Sequence, residues 1–421
     1  ATLCGPQAGK KQAITKPSSP ALCPQRLLTA QPQRHHCAAA QHPKPPTALQ
    51  QHETMSSASD SEEDTRSPAQ RIKDGQAEFA EETKAGDALL KKVVKGEARP
   101  LSDFFFCVIS ARRPGNVVKM ESTLKGCSPT WIVATGDKKA YEEGGATKVI
   151  EGGGLCASRN KGLELAKKLN KPCVQLSDDL KTISFVSSKE DKNWTKPSSL
   201  SAANLRAKSA QIEPVSPGAA AQYIDYQSKQ TNSKLGGTYP CGNAGQGCAM
   251  APVAAEHFVV GDFFVSQPSA TCRFDEELTL KEDYDFTCQH IHAYGRVARC
   301  NRLTLLAEHY VNEGGAVSIR NATEEKKNIK RLRSKWPGVF LGSPRGDSEV
   351  RLIWDKRDVV LGGNRVFETY DVRGKLTVYD KDEQKDIRRK RLAKGEKRLA
   401  EAHASCLEEA LLPPAAKKAK K

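Results

Sequence analysis

The sequence predicts an α/β fold, a mostly parallel sheet with flanking helices, between irregular ends. Three observations predict it. Two continuous apolar runs, FFFCVIS at 104–110 and TWIVAT at 130–135, have the length and all-apolar character of strands buried on both faces. A third run, CVQLS at 173–177, follows an amphipathic stretch, SRNKGLELAKKL at 158–169, whose Leu165, Ala166 and Leu169 share one face. Strand, helix, strand at this spacing implies parallel strands joined by crossover helices.

Later segments extend the pattern. HFVVGDFFVS at 257–266 restores regular order after a polar stretch at 189–247 that reads as loop, with Pro197, Pro214, Pro217 and the run GGTYPCGNAGQG. KEDYDFTCQHIHAYG at 281–295 reads as a loop entering a helix, and RLTLLAEHYV at 302–311 as a strand. NATEEKKNIKRLRSKWPG has a helix start and stop: Thr323 as cap, acids in the first turn, bases in the last, then Pro337-Gly338. EVRLIW at 349–354 is a further strand, and 365–380 reads as a hairpin turning at Arg373-Gly374. The domain organisation predicted is an irregular region at 1–90, a single α/β domain at 91–356, a β-hairpin annex at 357–386 and a basic tail at 387–421. Met55 followed by SSASDSEEDTRS reads as a protein start, which makes residues 1–54 an expected leader.

Charge and composition narrow the function classes. The net charge of +16 favours an anionic partner such as nucleic acid or a nucleotide, although basic ends alone would also produce it. Two basic clusters, DIRRKRLAKGEKR and PPAAKKAKK, read as a nuclear signal or a nucleic-acid contact, or as solvated charge. The 13 cysteines form no CxxC pair, so neither a disulfide framework nor a structural zinc site is expected. No segment approaches the roughly 20 apolar residues of a membrane span, and no membrane association is expected.

The chemistry-bearing residues come in two acid pairs. Asp178-Asp179 follows a buried strand directly, at the carboxyl end where open α/β sheets bind ligands. Adjacent carboxylates there repel unless a cation joins them; a solvated turn is the plainer explanation. Glu282-Asp283 precedes a helix, where acids cap, and where a carboxylate beside a substrate hydroxyl would be a general base. His309 is a third metal point or a structural histidine. Arg112 and Arg113 follow the first strand, where a base or phosphate would dock, and Ser158, Arg159 and Asn160 open a helix suited to an anion.

The order of these features resembles the GT-A glycosyltransferases. ISARRPGNV, ASRNKGLELA, QLSDDL, FVVGDFFVSQPSATCRFDEELTLKEDYDFTCQHI and AEHYVNEGGAV look like the glycosyltransferases associated with TET/JBP-type DNA oxygenases. The resemblance covers about residues 101–355 and implies a GT-A-like, Rossmann-type sheet. It implies Asp179 and His309 as ligands of Mn²⁺ or Mg²⁺, with Asp178 on the sugar or ribose. It implies Asp283, beside Glu282, as catalytic base, and Arg112, Arg113, Ser158, Arg159 and Asn160 in the nucleotide-sugar pocket. Ser177 replaces the first acid of the family's acid-x-acid motif. The implied function is inverting transfer of a hexose from a UDP-sugar, UDP-glucose first, to a hydroxymethylated pyrimidine in DNA, in the nucleus. Rival readings are a nuclear protein Ser/Thr glycosyltransferase, a nucleotidyltransferase and an inactive chromatin module.

Overall fold

The computed structural model describes residues 65–191, 196–308, 315, 320–343 and 346–354, with no side-chain description for 341–347. The hairpin expected at 365–380, the basic tail, the leader and His309 lie outside the described residues. In chain order the elements are α1 (Pro68–Glu82), α2 (Lys84–Val93), β1 (Phe105–Ser110), α3 (Val117–Thr123), β2 (Thr130–Val133), α4 (Lys138–Glu143), β3 (Val149–Glu151) and α5 (Leu155–Lys168). There follow β4 (Cys173–Ser177), β5 (Leu180–Ser188), α6 (Leu200–Lys208), β6 (Ala210–Val215), α7 (Pro217–Gln230), β7 (Leu235–Tyr239) and α8 (Ala244–Ala249). The last are β8 (Val253–Ala254), β9 (Phe263–Ser266), α9 (Glu282–Tyr294), β10 (Ala298–Ala307), α10 (Ala322–Lys335), β11 (Phe340–Ser343) and β12 (Gly346–Leu352).

One large sheet organises the chain, in the order β3-β2-β1-β4-β9-β7-β10-β5-β6, with β8 added beside β10. Its first half is the expected parallel one: β1 pairs β2 and β4 in parallel, and β2 pairs β3. The other half is mixed, so the expectation of a mostly parallel sheet is corrected there. β9 runs antiparallel between β4 and β7, β7 and β10 are parallel, and β5 is antiparallel to both β10 and β6. The direct turn from β4 into β5 through Asp178-Asp179 gives a strand with no crossover helix. Alternate residues of β1 feed two cores: Phe106 and Val108 pack with Val174, Leu176 and Met120 on one face, Cys107 and Ile109 with Leu163 and Phe264 on the other. This is why the run is apolar without alternation.

Two regions differ from their sequence reading. The end of the region expected to be irregular, up to residue 90, forms the helices α1 and α2. Ser67 caps α1 by accepting from the Gln70 N–H at 3.3 Å, with Pro68 at the first turn, and Leu90 of α2 is buried in the core. The polar composition of α1 hid this, because it contributes no fully buried residue. Residues 189–247, read as loop, hold α6, β6, α7, β7 and α8. Pro214 lies on β6, at the sheet edge, and Pro217 at the start of α7, two positions that tolerate proline. The glycines of β7 are there for close packing. A Cβ at Gly236 would lie 2.5 Å from Ile224 Cγ2, and one at Gly237 2.3 Å from Val259 Cγ1. A smaller correction concerns α10, which is capped by Asn321, not Thr323: the Asn321 side chain accepts from the N–H groups of Thr323 and Glu324.

Candidate active site

At the carboxyl end of β4 the chain turns through Asp178 and Asp179, both buried. The Ser177 N–H donates to the Asp262 carbonyl at 2.9 Å, and the Glu308 N–H donates to the Asp179 carbonyl at 2.9 Å. These two links bring the residues before β9 and the end of β10 to the same turn.

The cation that the two carboxylates require is Arg113. Its Nη1 lies 2.9 Å from Asp178 Oδ1 and 3.4 Å from Asp179 Oδ2, and all three side chains are buried. Asp178 Oδ2 also accepts from the Ser110 hydroxyl. Having one proton, Ser110 must then accept from Tyr141, whose oxygen accepts from the Arg113 N–H at 2.9 Å. Burial lifts the pKa of Asp178 to about 6, against the pull of Ser110 and Arg113, and the neighbouring Asp179 charge adds to the rise. Ser177, the departure from the acid-x-acid pattern, donates its hydroxyl to Asp179 Oδ1 at 2.7 Å and so orients that carboxylate.

The second acid pair opens α9. Asp283 Oδ2 accepts from the Gly261 N–H at 3.1 Å and Oδ1 from the Tyr284 N–H at 2.9 Å. Its pKa is raised to about 7. Lost hydration is the main cause, followed by the Glu282 charge, while the Gly261 N–H works against both. Half-buried by surface, the side chain still has protein on enough sides for desolvation to dominate. Glu282 is buried and paired with Arg159 Nη2 at 3.2 Å.

Arg159 does more than pair. Its Nη1 donates to the Gly261 carbonyl at 3.0 Å, and its guanidinium lies over the rings of Phe274 and Phe264. A Cβ on Gly261 would sit 2.7 Å from Arg159 Nη2 and 3.3 Å from Asp283 Cβ, so glycine is required by close approach. Asn160 uses both ends of its amide on Phe274, accepting from its N–H at 2.9 Å and donating to its carbonyl at 3.0 Å. Ser158 is buried and donates to the Gly153 carbonyl at 3.3 Å. These three side chains, expected in the nucleotide-sugar pocket, make internal contacts: Arg159 and Asn160 hold the α9 entry and its flanking loop, and Ser158 the turn that opens α5. Arg112 is exposed in a left-handed backbone (φ 57°), its N–H donating to Asp137 at 2.7 Å.

The structure therefore joins the two acid pairs through backbone. Asp178 and Asp179 follow Ser177, Ser177 bonds Asp262, and the adjacent Gly261 bonds Asp283. Four contributors escaped sequence reading: Ser110, Tyr141, Gly261 and Asp262. The Gly-Asp pair just before the apolar run FFVS was the available signal, since a glycine at a strand entrance marks close approach.

Among the described residues no three of His, Cys, Asp and Glu come together to hold a metal ion. The donor set there is two carboxylates already facing a guanidinium, which does not fit a divalent cation, and no chemical step is assigned to one. No described helix is long and apolar enough to cross a membrane. Compared with family models, curated proteins and solved structures, the chain matches none.

Proposed function

We propose that this chain is a GT-A-type inverting glycosyltransferase, moving a hexose from a UDP-sugar, UDP-glucose first, to a hydroxymethylated pyrimidine in nuclear DNA. The observation that carries the reading is Asp283. It is a carboxylate with a pKa near 7, tied by Gly261 and Asp262 to the carboxyl edge of β4, where α/β sheets bind ligands. A group titrating near neutrality accepts a proton during reaction and releases it afterwards. In this reaction the acceptor hydroxyl oxygen bonds to the anomeric carbon. The bond from that carbon to the diphosphate oxygen breaks, its electron pair leaves with UDP, and the hydroxyl proton passes to Asp283.

In this reading Arg113 meets the diphosphate charge and Asp178 the hydroxyls of sugar or ribose. Mn²⁺ or Mg²⁺ remains the expectation from the resemblance. Asp179 would join such an ion only by releasing Arg113, and His309, the expected further ligand, lies outside the described residues. A pyrimidine in a duplex would be flipped out to present its hydroxyl.

The test is incubation of the full chain with radiolabelled UDP-glucose and DNA containing hydroxymethyluracil or hydroxymethylcytosine, with EDTA and with added Mn²⁺ or Mg²⁺. Label on DNA that Asp283→Asn abolishes supports the reading. Label on nuclear protein alone would replace the acceptor, and donor binding without any transfer would sink the enzymatic reading.

A further inference from the structure

Five arginines are buried among the described residues: Arg113, Arg159, Arg206, Arg299 and Arg302. Four of them meet a carboxylate. Arg113 pairs with Asp178 at 2.9 Å and Arg159 with Glu282 at 3.2 Å, while Arg206 and Arg302 share Asp191 at 3.2 and 2.5 Å. Arg299 meets none. Its Nε donates to Asn301 Oδ1 at 2.9 Å, its Nη2 faces Met250 Sδ at 3.8 Å, and its guanidinium carbon lies 5.2 Å from the centre of the Tyr239 ring. All three partners are neutral. Nη1 makes no hydrogen bond among the described residues.

A guanidinium taken out of water without a counter-charge is costly, and a ring face and a thioether offset only part of that cost. Burial lowers the pKa of Arg299 to about 10, so at neutral pH the charge persists. The residue is nonetheless held in place. Asn301, which orients it, is itself fixed by donating its side-chain amide to the Ala251 carbonyl at 2.7 Å and its N–H to the Pro252 carbonyl at 2.8 Å. The surroundings reach the surface: Cys241 and Met250 are half-buried, and Gln246 of α8, which accepts from the Tyr239 hydroxyl at 2.8 Å, is exposed, as are Gly242 and Asn243 just before that helix. Arg302, three residues along the same strand, shows how this protein treats a buried arginine whose role is only structural: an aspartate stands against it.

We propose that Arg299, flanked by Tyr239 and Asn301, is a binding site for an oxyanion, the phosphate or carboxylate group of a ligand. The planar donor fork, with one arm fixed on Asn301 and the other directed elsewhere, suits two oxygens of one anion. This site is separate from the two acid pairs, and the inference stands whether or not the chain transfers sugars.

The experiment follows thermal unfolding of the full chain in rising inorganic phosphate, and separately in acetate, against chloride at matched ionic strength. At least one of the two anions is expected to raise the unfolding midpoint beyond chloride, and which one does so identifies the group as phosphate or carboxylate. In Arg299→Gln the apparent affinity for that anion should fall by about tenfold or more, the value of a charge-assisted hydrogen bond. Arg299→Lys, which keeps the charge and loses the fork, gives the same reading if the glutamine variant fails to fold. Stability without any added anion provides a second arm: Arg299→Met should lose clearly less than Arg302→Met, because only the latter takes a partner from a buried carboxylate, leaving Asp191 with Arg206. Equal anion responses in wild type and variant, no response to either anion, or equal losses in the two methionine variants would overturn the proposal.

Discussion

The two acid pairs of the candidate site each have their own buried arginine, and the two are wired differently. At Asp178-Asp179 the guanidinium of Arg113 reaches both carboxylates. At Glu282-Asp283 the guanidinium of Arg159 pairs with Glu282, and Asp283 is left with two backbone N–H donors. The consequence is electrostatic. Asp178, deeply buried but facing a cation directly, rises to about 6, whereas Asp283 has an acidic neighbour and no cation in hydrogen-bond contact, and rises to about 7. One arginine thus offsets part of the charge of both acids of the first pair. The other, by satisfying Glu282, leaves its neighbour able to exchange a proton near neutrality.

The sharpest way to break this comparison is Asp283→Asn. If Asp283 is the base, transfer in the labelling assay falls by about 10²–10⁴-fold while donor binding is retained. An unchanged rate removes the distinction between the pairs. Next in size is Arg113→Met, which takes a guanidinium from two buried carboxylates. It should destabilise the chain by about 3–5 kcal/mol in denaturant unfolding at neutral pH, the usual cost of breaking a buried pair.

A pH titration of stability separates the same effects without removing the arginine. Because Asp178 binds its proton more tightly in the folded state, its contribution is complete below its unfolded pKa of about 4 and is lost as pH rises through about 6. A buried group shifted by this much accounts for about 3 kcal/mol of pH-dependent stability, so Asp178→Asn should flatten the fall in that window. Gly261→Ala is expected to be milder, about 1–3 kcal/mol, since its methyl would push Arg159 and Asp283 apart. Circular-dichroism melting reads the stability change, and the pH–rate profile reads any change at Asp283. The smallest effect belongs to Glu282→Gln. Removing the neighbouring charge and freeing Arg159 both stabilise the carboxylate form of Asp283, so the acidic limb of kcat/KM should move down by about one pH unit. A limb that moves up would mean the charge on Glu282 is not what raises Asp283.

How much of this was legible before folding varies along the chain. The runs at 104–110, 130–135 and 173–177 announced β1, β2 and β4 because strands buried on both faces are built almost wholly from apolar residues. The stretch 189–247 did not announce itself. There large core residues such as Val215, Tyr223, Ile224 and Leu235 are interleaved with Ala220, Ala221, Gly236 and Gly237, small residues that let backbones approach and that composition alone reads as turn or linker. The antiparallel β9 and β5 were illegible for a related reason: strand direction depends on which neighbour a segment joins, and periodicity carries no information about neighbours. In the candidate site both acid pairs were visible, one because adjacent carboxylates directly follow a buried strand, the other because it precedes a recognisable helix. The partners were not. Arg159 and Asn160, read as ligand groups, turn out to hold Glu282, Gly261 and Phe274.

By itself the sequence determined the α/β class, the strands β1, β2 and β4, and that Asp178 and Asp179 repel unless water or a cation meets them, because each of these follows from local composition or from like charges joined by one peptide bond. Only the tertiary structure decided that this cation is Arg113, that Arg159 serves Glu282, and that Asp283 shares an edge with β4. Those pairings follow from the register of β4 against β9, Leu176 beside Phe263, which sets Asp262 against Ser177 and Gly261 against Asp283. Charges far apart in the chain acquire their partners, and so their proton affinities, only when the sheet brings them within a few ångströms.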